Sequence, residues 1–338
     1  MQEININNIN SVLDHTRDCA VTVFGDFCLD KYIYVDPERE EVSVETGLPA
    51  YQVVRKAMFP GVGGTVTNNL RSLGVRVNCV GLIGDDGEGY DLQKSLEAIG
   101  ASTALMVRSE KIQTNVYQKP MRLSPDGIHK EMNRFDFRNF TATPEELEDR
   151  LLMNLEASLN NTRGVVICDQ YLQRNYAAVT DNVRDALARL ACLYKNKVFY
   201  ADSRGFTGSY RDVIIKCNQS ELADAVKTQD GLFAQAKALL AINGRAVVIT
   251  AGAEGAYVFE GGDMAHIPAF HVGGPIDITG AGDATNAGVI TGLASGLSLR
   301  EAVLLGSCIS SITIQQLGVT GTATVEQVKE RLSIYKAG

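Results

Sequence analysis

The sequence contains no CxxC pair, no two histidines at ligand spacing, no apolar run approaching a membrane span and no basic excess. Its seven cysteines (19, 28, 79, 168, 192, 217 and 308) are scattered, several in apolar stretches such as VVICD. That pattern disfavours a disulfide framework or a zinc site and predicts core thiols in a reducing compartment. The four histidines say the same about metals. A formal net charge of −8 argues against a phosphate-backbone footprint, so no nucleic-acid partner is expected. The start, MQEININNIN, lacks the basic-then-apolar order of a signal peptide. A cytoplasmic location with no membrane partner is the resulting expectation. No GxxxxGK(S/T) phosphate loop occurs, and the first strand runs into GDFCLD rather than a GxGxxG turn. With no repeat, low-complexity tract or Pro/Ser-rich linker, the 338 residues read as one domain spanning 1–338.

What is present is alternation. AVTVFGD (20–26), VNCVGLIG (77–84), GVVICD (164–169), KVFYAD (197–202), DVIIKCN (212–218) and RAVVITAG (245–252) read as buried strands. Helical stretches fall at 64–73, 87–99, 176–194, 230–242, 282–295, 299–316 and 324–335. Such an order predicts an α/β fold, a mostly parallel sheet covered by helices on both faces. Residues 30–60 and 112–137 alternate polar and apolar without a helical stripe. They predict antiparallel strands of a small accessory sheet, a lid beside the carboxyl ends of the main strands.

Ligands bind beyond the carboxyl ends of strands in open α/β sheets. Acids and amides gather there: Asp26 and Asp30 in GDFCLD, Asp169 in CDQ, Asp202 in ADSRG, Asn218 and Glu221 in CNQSE. Each alone is as well explained as a helix cap. The six together predict a polar rim. The most informative stretch is DITGAGDATNAG, 277–288. Glycines 280 and 282 remove the Cβ atoms that would block an anion, and the following helix offers unpaired N–H groups to negative charge. Asp283 at the lip is either an N-capping aspartate in a turn or a base that takes a proton from an attacking nucleophile.

The combination resembles the ribokinase-like (PfkB) family of sugar kinases over nearly the whole chain, with DITGAGDATNAG matching the family's C-terminal signature. The resemblance implies a three-layer αβα sandwich and an ATP-dependent phosphotransferase. Asp283 would be the catalytic base, and the backbone of Gly280, Ala281 and Gly282 the anion hole. NQSE (218–221) fits the motif in which Asn218 and Glu221 organise magnesium and the nucleotide phosphates, Glu221 holding the metal indirectly. TAGAEGAYVF (250–259) implies Thr250 and Gly252 near ATP. Asp277 with the backbone of Thr279 matches the place where many members hold a monovalent cation, K+ being the expected one.

Within the family, GDFCLDKY, SVETGLPAYQV, NRFDF and GSYRDVIIKCNQSE are most similar to the kinase domain that phosphorylates heptose 7-phosphate at its anomeric hydroxyl. Bifunctional forms of that enzyme carry a C-terminal nucleotidyltransferase domain, which is not expected here. On the acceptor side Asp30, Gly63, Gly64, Thr65, Asn69 and Asp169 are the substrate-binding candidates. The family's Gly-Gly-x-x-Asn motif is altered, since Val62 and Thr65 replace its second glycine and its asparagine. Asn68 or Asn69 lies about one helical turn further along. Lys31, Arg39, Arg55 and Lys56 are candidates to hold a substrate phosphate, or else a solvated charged face. The residues leave a nucleoside or other small alcohol open as acceptor, and a silent ligand-binding relative open as well. Lids in this family often pair in a homodimer, and the apolar alternation of YIYV and AYQVV leaves a face to cover.

Overall fold

In a computed structural model, which describes residues 4–227 and 230–335, the first apolar run after helix α1 (Ile6–Asp14) is strand β1 (Ala20–Gly25), buried at every position. Only a strand covered on both faces reads as a continuous apolar run. One residue, Asp26, separates it from β2 (Phe27–Val35). The short β3 (Glu41–Val42) and β4 (Pro49–Ala50) follow, then β5 (Val53–Val62), which passes directly into α2 (Gly63–Ser72). Next come β6 (Arg76–Gly84), α3 (Gly87–Ala98), β7 (Val107–Ser109), β8 (Val116–Leu123), β9 (His129–Glu131) and β10 (Phe135–Phe137). Helix α4 (Glu145–Leu159), β11 (Gly164–Asp169), α5 (Asp181–Leu193), β12 (Val198–Ser203), β13 (Ile214–Asn218) and α6 (Gln219–Val226) continue the alternation. The chain then runs through α7 (Leu232–Asn243), β14 (Val247–Thr250), β15 (Gly255–Glu260), β16 (Asp263–Pro268), α8 (Ala281–Ala294), α9 (Leu299–Thr313) and α10 (Val325–Ser333).

The main sheet has the order β16-β15-β14-β13-β12-β11-β1-β6-β7, parallel from β14 to β7 with an antiparallel pair at one edge. Helices α1, α2, α3, α8, α9 and α10 contribute to one core and α4 to α7 to the other. Alternating strands and helices therefore build three layers, with every parallel strand ending on the same side. Helix α8 is almost wholly buried and crosses α9 at backbone contact. A Cβ on Gly288 would lie 2.5 Å from the Cα of Gly306, so glycine is the residue that permits this approach.

Three details differ from expectation. The helix expected over 176–194 begins at Asp181, because Thr180 caps it by accepting the N–H of Val183. Residues 170–178 instead wrap Asp26, whose carboxylate accepts the N–H groups of Gln170, Tyr171 and Ala178. In the second sheet, β10-β8-β2-β5 with β9 on β8, strands β2 and β8 run parallel while the other pairs are antiparallel. Both leave the carboxyl side of the main sheet and so enter the lid in the same direction. Six cysteines are buried thiols, but Cys192 is on the surface. Among the described residues no helix is long and apolar enough to cross a membrane.

Candidate active site

The stretch 277–283 folds as a turn that ends in a helix N-terminus. Gly280 precedes α8 at φ 78°, ψ 4°, a left-handed conformation that glycine holds without Cβ strain. Ala281, expected in the anion hole, donates its N–H to the carbonyl of Ile278 at 3.1 Å. That bond closes the turn and removes the donor. The N–H groups of Gly280, Gly282 and Asp283 meet no acceptor among the described residues, so the open donors are displaced from the expected set. Asp283 is half-buried, and among the described residues no donor bonds its carboxylate. Burial, then the charge of Asp202, push it up to about 7 against the opposing pull of Lys216 and Arg204, with Asp30 adding to the rise. A carboxylate with no hydrogen bond of its own and a pKa near neutrality is suited to accept a proton.

Beneath this cradle lies a polar network that no motif announced. Asp202 Oδ2 accepts from Lys216 Nζ at 2.9 Å and from Asn286 Nδ2 at 2.6 Å, and Tyr200 donates its hydroxyl to Asn286 Oδ1. Burial pulls the Lys216 ammonium down, but the Asp202 carboxylate overrides it and leaves the amine above its ordinary range. A single charge inside the buried run IIKCN was the sequence signal for it.

Toward the β13 and β14 ends, Asn218 and Glu221 cap α6 reciprocally. Asn218 Oδ1 accepts the N–H of Glu221, and Glu221 Oε2 accepts the N–H of Asn218. Thr250 sits opposite Asn218 in the β13–β14 register, and Gly252 (φ 57°) follows with open space where a Cβ would point. Asp277 receives the N–H groups of Thr279 and Gly318 on its two oxygens, which holds its carboxyl below the ordinary range. Among the described residues no group of three or more His, Cys, Asp or Glu could hold a metal.

The lid face turned to this cleft carries Asp30. Its carboxylate lies 2.5 Å from where a Cβ on Gly61 would sit, and Lys119 Nζ reaches it at 3.0 Å while also donating to Tyr32. Strand alternation puts Tyr32 and Tyr34 on the same face, with Tyr117, Lys119 and Arg55 in register beside them. Arg55 stacks over the Tyr34 ring at 3.5 Å, and Arg134 and Arg138 flank the Tyr117 ring at 4.9 and 5.7 Å. Three of the four expected phosphate-holding cations are elsewhere: Lys31 binds Glu88 of α3, Lys56 shares that opposite face, and Arg39 pairs with Asp36. Two buried polar atoms on this side, Arg138 Nε and the Tyr171 hydroxyl, have no hydrogen-bond partner among the described residues.

Several acceptor candidates turn out to be framework. Asp169 is 1% exposed and accepts from Arg184, Ser203 and Tyr210, an internal ion pair rather than a substrate ligand. Gly63 and Gly64 are packing glycines, since Cβ atoms there would strike the Asp26 carbonyl at 2.8 Å and Pro60 at 2.4 Å. Asn69 points inward and donates to the carbonyls of Thr65 and Gly321. Thr65 is buried, and its methyl lies 3.4 Å from where a Gly280 Cβ would stand. Val62, in place of the family's second glycine, adopts φ 58°, ψ −114°. A β-branched residue held there stores roughly 1–3 kcal/mol of backbone strain.

The overall fold is similar to the solved structure of ribokinase from Thermotoga maritima (18% identity, TM-score 0.65, 93% of this chain and 99% of that one). It is also similar to phosphofructokinase-2 from Escherichia coli in complex with potassium (17%, TM-score 0.69, 93% and 98%). The fold is therefore ribokinase-like. Residues 23–325 match the pfkB family carbohydrate kinases, and the chain belongs to that family. Among curated relatives, bifunctional protein HldE of Hyphomonas neptunium is 28% identical over 338 residues, covering 97% of this chain and 66% of that protein. The chain thus spans about two thirds of the length of the curated relatives it matches.

Proposed function

We propose that this carbohydrate kinase transfers the terminal phosphoryl group of ATP to a hydroxyl of a phosphorylated sugar, heptose 7-phosphate at its anomeric hydroxyl being the leading acceptor. The observation that carries the reading is Asp283, a carboxylate with no donor among the described residues, next to Gly282 and within reach of the charge of Asp30 on the lid. Asp283 takes the hydroxyl proton. As the acceptor oxygen bonds to phosphorus, the bond to the ADP oxygen breaks and leaves its electron pair on ADP. The open N–H groups of Gly280, Gly282 and Asp283 are aimed where charge spreads over the non-bridging oxygens.

Asp30, tied to Lys119, orients acceptor hydroxyls, and Gly61 keeps that contact close. A phosphate on the acceptor is matched by Lys119, Arg55 and Arg138 on the same lid face, and the unpartnered Arg138 Nε supports an anion there. Thr250 and Gly252 border the nucleotide. Magnesium would neutralise phosphate charge. The donor set fits an ion carried mainly by nucleotide oxygens and water, with Glu221 and Asn218 around that water shell. Asp277 and the Thr279 backbone would hold K+. Residues 1–338 form one kinase unit in this reading, working in the cytoplasm. Exposed Val42, Val44, Leu48, Val53 and Val54 in the lid favour pairing with a second copy.

The test is ADP release by the purified protein with ATP, Mg²⁺ and K⁺ across sugars, sugar phosphates and nucleosides, with product mass read out. Heptose 7-phosphate should give the bisphosphate. Preference for a nucleoside or an unphosphorylated sugar would overturn the acceptor assignment.

A further inference from the structure

Lys216 stands between Ile215 and Cys217 in a buried strand, and the residue is only 6% exposed. Its ammonium has three donors. Asp202 is the one acceptor it meets among the described residues. A Cβ built on Gly282 would lie 3.3 Å from Nζ, with no other heavy atom within 4 Å, so the ammonium forms the floor under the middle of the cradle. The same Asp202 oxygen is shared by Asn286 of α8, itself fixed by the Tyr200 hydroxyl, so β12, β13 and α8 fix the pair together. A buried ion pair seldom stabilises a fold more than apolar residues of the same size would. The placement calls for another explanation, and two uncommitted ammonium donors under open N–H groups supply one: both would be satisfied by one multi-oxygen anion.

We propose that Lys216 is a second charge-bearing residue of the transfer site, meeting the terminal phosphoryl group from below the Gly280–Gly282 cradle, and that Asp202 is the positioning residue that holds it there. This rests on the kinase reading. While the acceptor proton passes to Asp283 and the electron pair of the broken P–O bond stays on ADP, Lys216 offsets charge on the non-bridging oxygens. Asp202 also faces Asp283, together with Lys216 and Arg204 from neighbouring strand ends and Asp30 from the lid.

The experiment compares calorimetric affinities for Mg·AMP-PNP and Mg·ADP. Lys216→Met should weaken AMP-PNP by about 10–100-fold, the range for a lost charged hydrogen bond, and change ADP far less. The double variant Lys216→Met/Asp202→Asn leaves no unpaired buried charge and should show the same selective loss, so a folding defect in the single variant cannot hide the answer. Asp202→Asn alone should move the acid limb of the turnover profile to lower pH, because a negative charge facing the base is gone. Equal weakening of both nucleotides in the double variant, or none, would overturn the role of Lys216; an unmoved acid limb would overturn that of Asp202. A wild-type protein that binds neither nucleotide would instead sink the kinase reading, and this inference with it.

Discussion

Replacing Asp283 by Asn should slow phosphoryl transfer and stabilise the folded chain at the same time. The carboxyl is displaced from 3.8 to about 7, roughly 3 units. At about 1.4 kcal/mol per unit this is a ceiling of about 4 kcal/mol. The side chain is partly open to the cleft, so about half of that is the working figure after solvent screening. The sign follows from proton binding. Between the unfolded and folded values the native protein holds the proton more tightly, so ionisation destabilises it increasingly as pH rises from about 4 to 7. Above 7 the whole penalty is present; below 4 it is absent. Asn carries no charge and escapes it. For 338 residues an unfolding entropy of about 2.1 cal/mol/K per residue makes 1 kcal/mol worth about 1.4 °C in Tm. Scanning calorimetry should therefore find Asp283→Asn about 3–6 °C more stable than the parent at pH 8, the gap closing toward pH 4. Turnover should fall by roughly 10²–10⁴, the range for a lost general base. A gap that ignores pH would refute the burial argument, and parental turnover would refute the catalytic one.

Gly280→Ala forces a Cβ into a left-handed residue, costing roughly 1–2 kcal/mol, and presses it against Thr320 and Thr65 at 3.3 and 3.4 Å. Turnover should drop about 10–10³-fold as the N–H donors move, and unchanged turnover would refute the cradle. Asp169→Ala strips a buried partner from Arg184 and should lower the urea-derived stability by about 3 kcal/mol, with acceptor KM little changed. A large KM effect in a stable variant would restore Asp169 to the acceptor site. Asp277→Ala should lower turnover in K⁺ to the level seen in choline; a variant that still responds to K⁺ would remove the cation from Asp277.

The readable parts of this protein are the local ones. The strand run at 20–25 announces itself because both faces are buried, and the glycines of 277–288 because a left-handed residue and a helix N-terminus are properties of adjacent residues. Acids after strands were equally visible, yet their fates were not. Asp30 pairs with Lys119 inside β2, Asp26 staples a loop just after β1 and Asp169, the last residue of β11, anchors Arg184. Neighbours from β8, α5 and the 170–178 loop, distant in the chain, decide what each carboxylate binds.

Cations show the same division. Alternation along β2 and β5 separates Lys31 and Lys56 from Asp30 and Arg55, but a period of two does not say which face meets the cleft. Docking of Lys31 onto Glu88 of α3 assigns it, and leaves Lys119 and Arg138 toward the site instead. Thus the chain alone carried its layered architecture, the left-handed glycine turn that opens α8 and the place of Asp283 in the first turn of that helix, all encoded by residue spacing within single elements. Assembly alone chose the donors of the cradle, set Lys216 beneath Gly282 and turned Asn69 inward. Those depend on register and approach between segments that sequence order does not bring together.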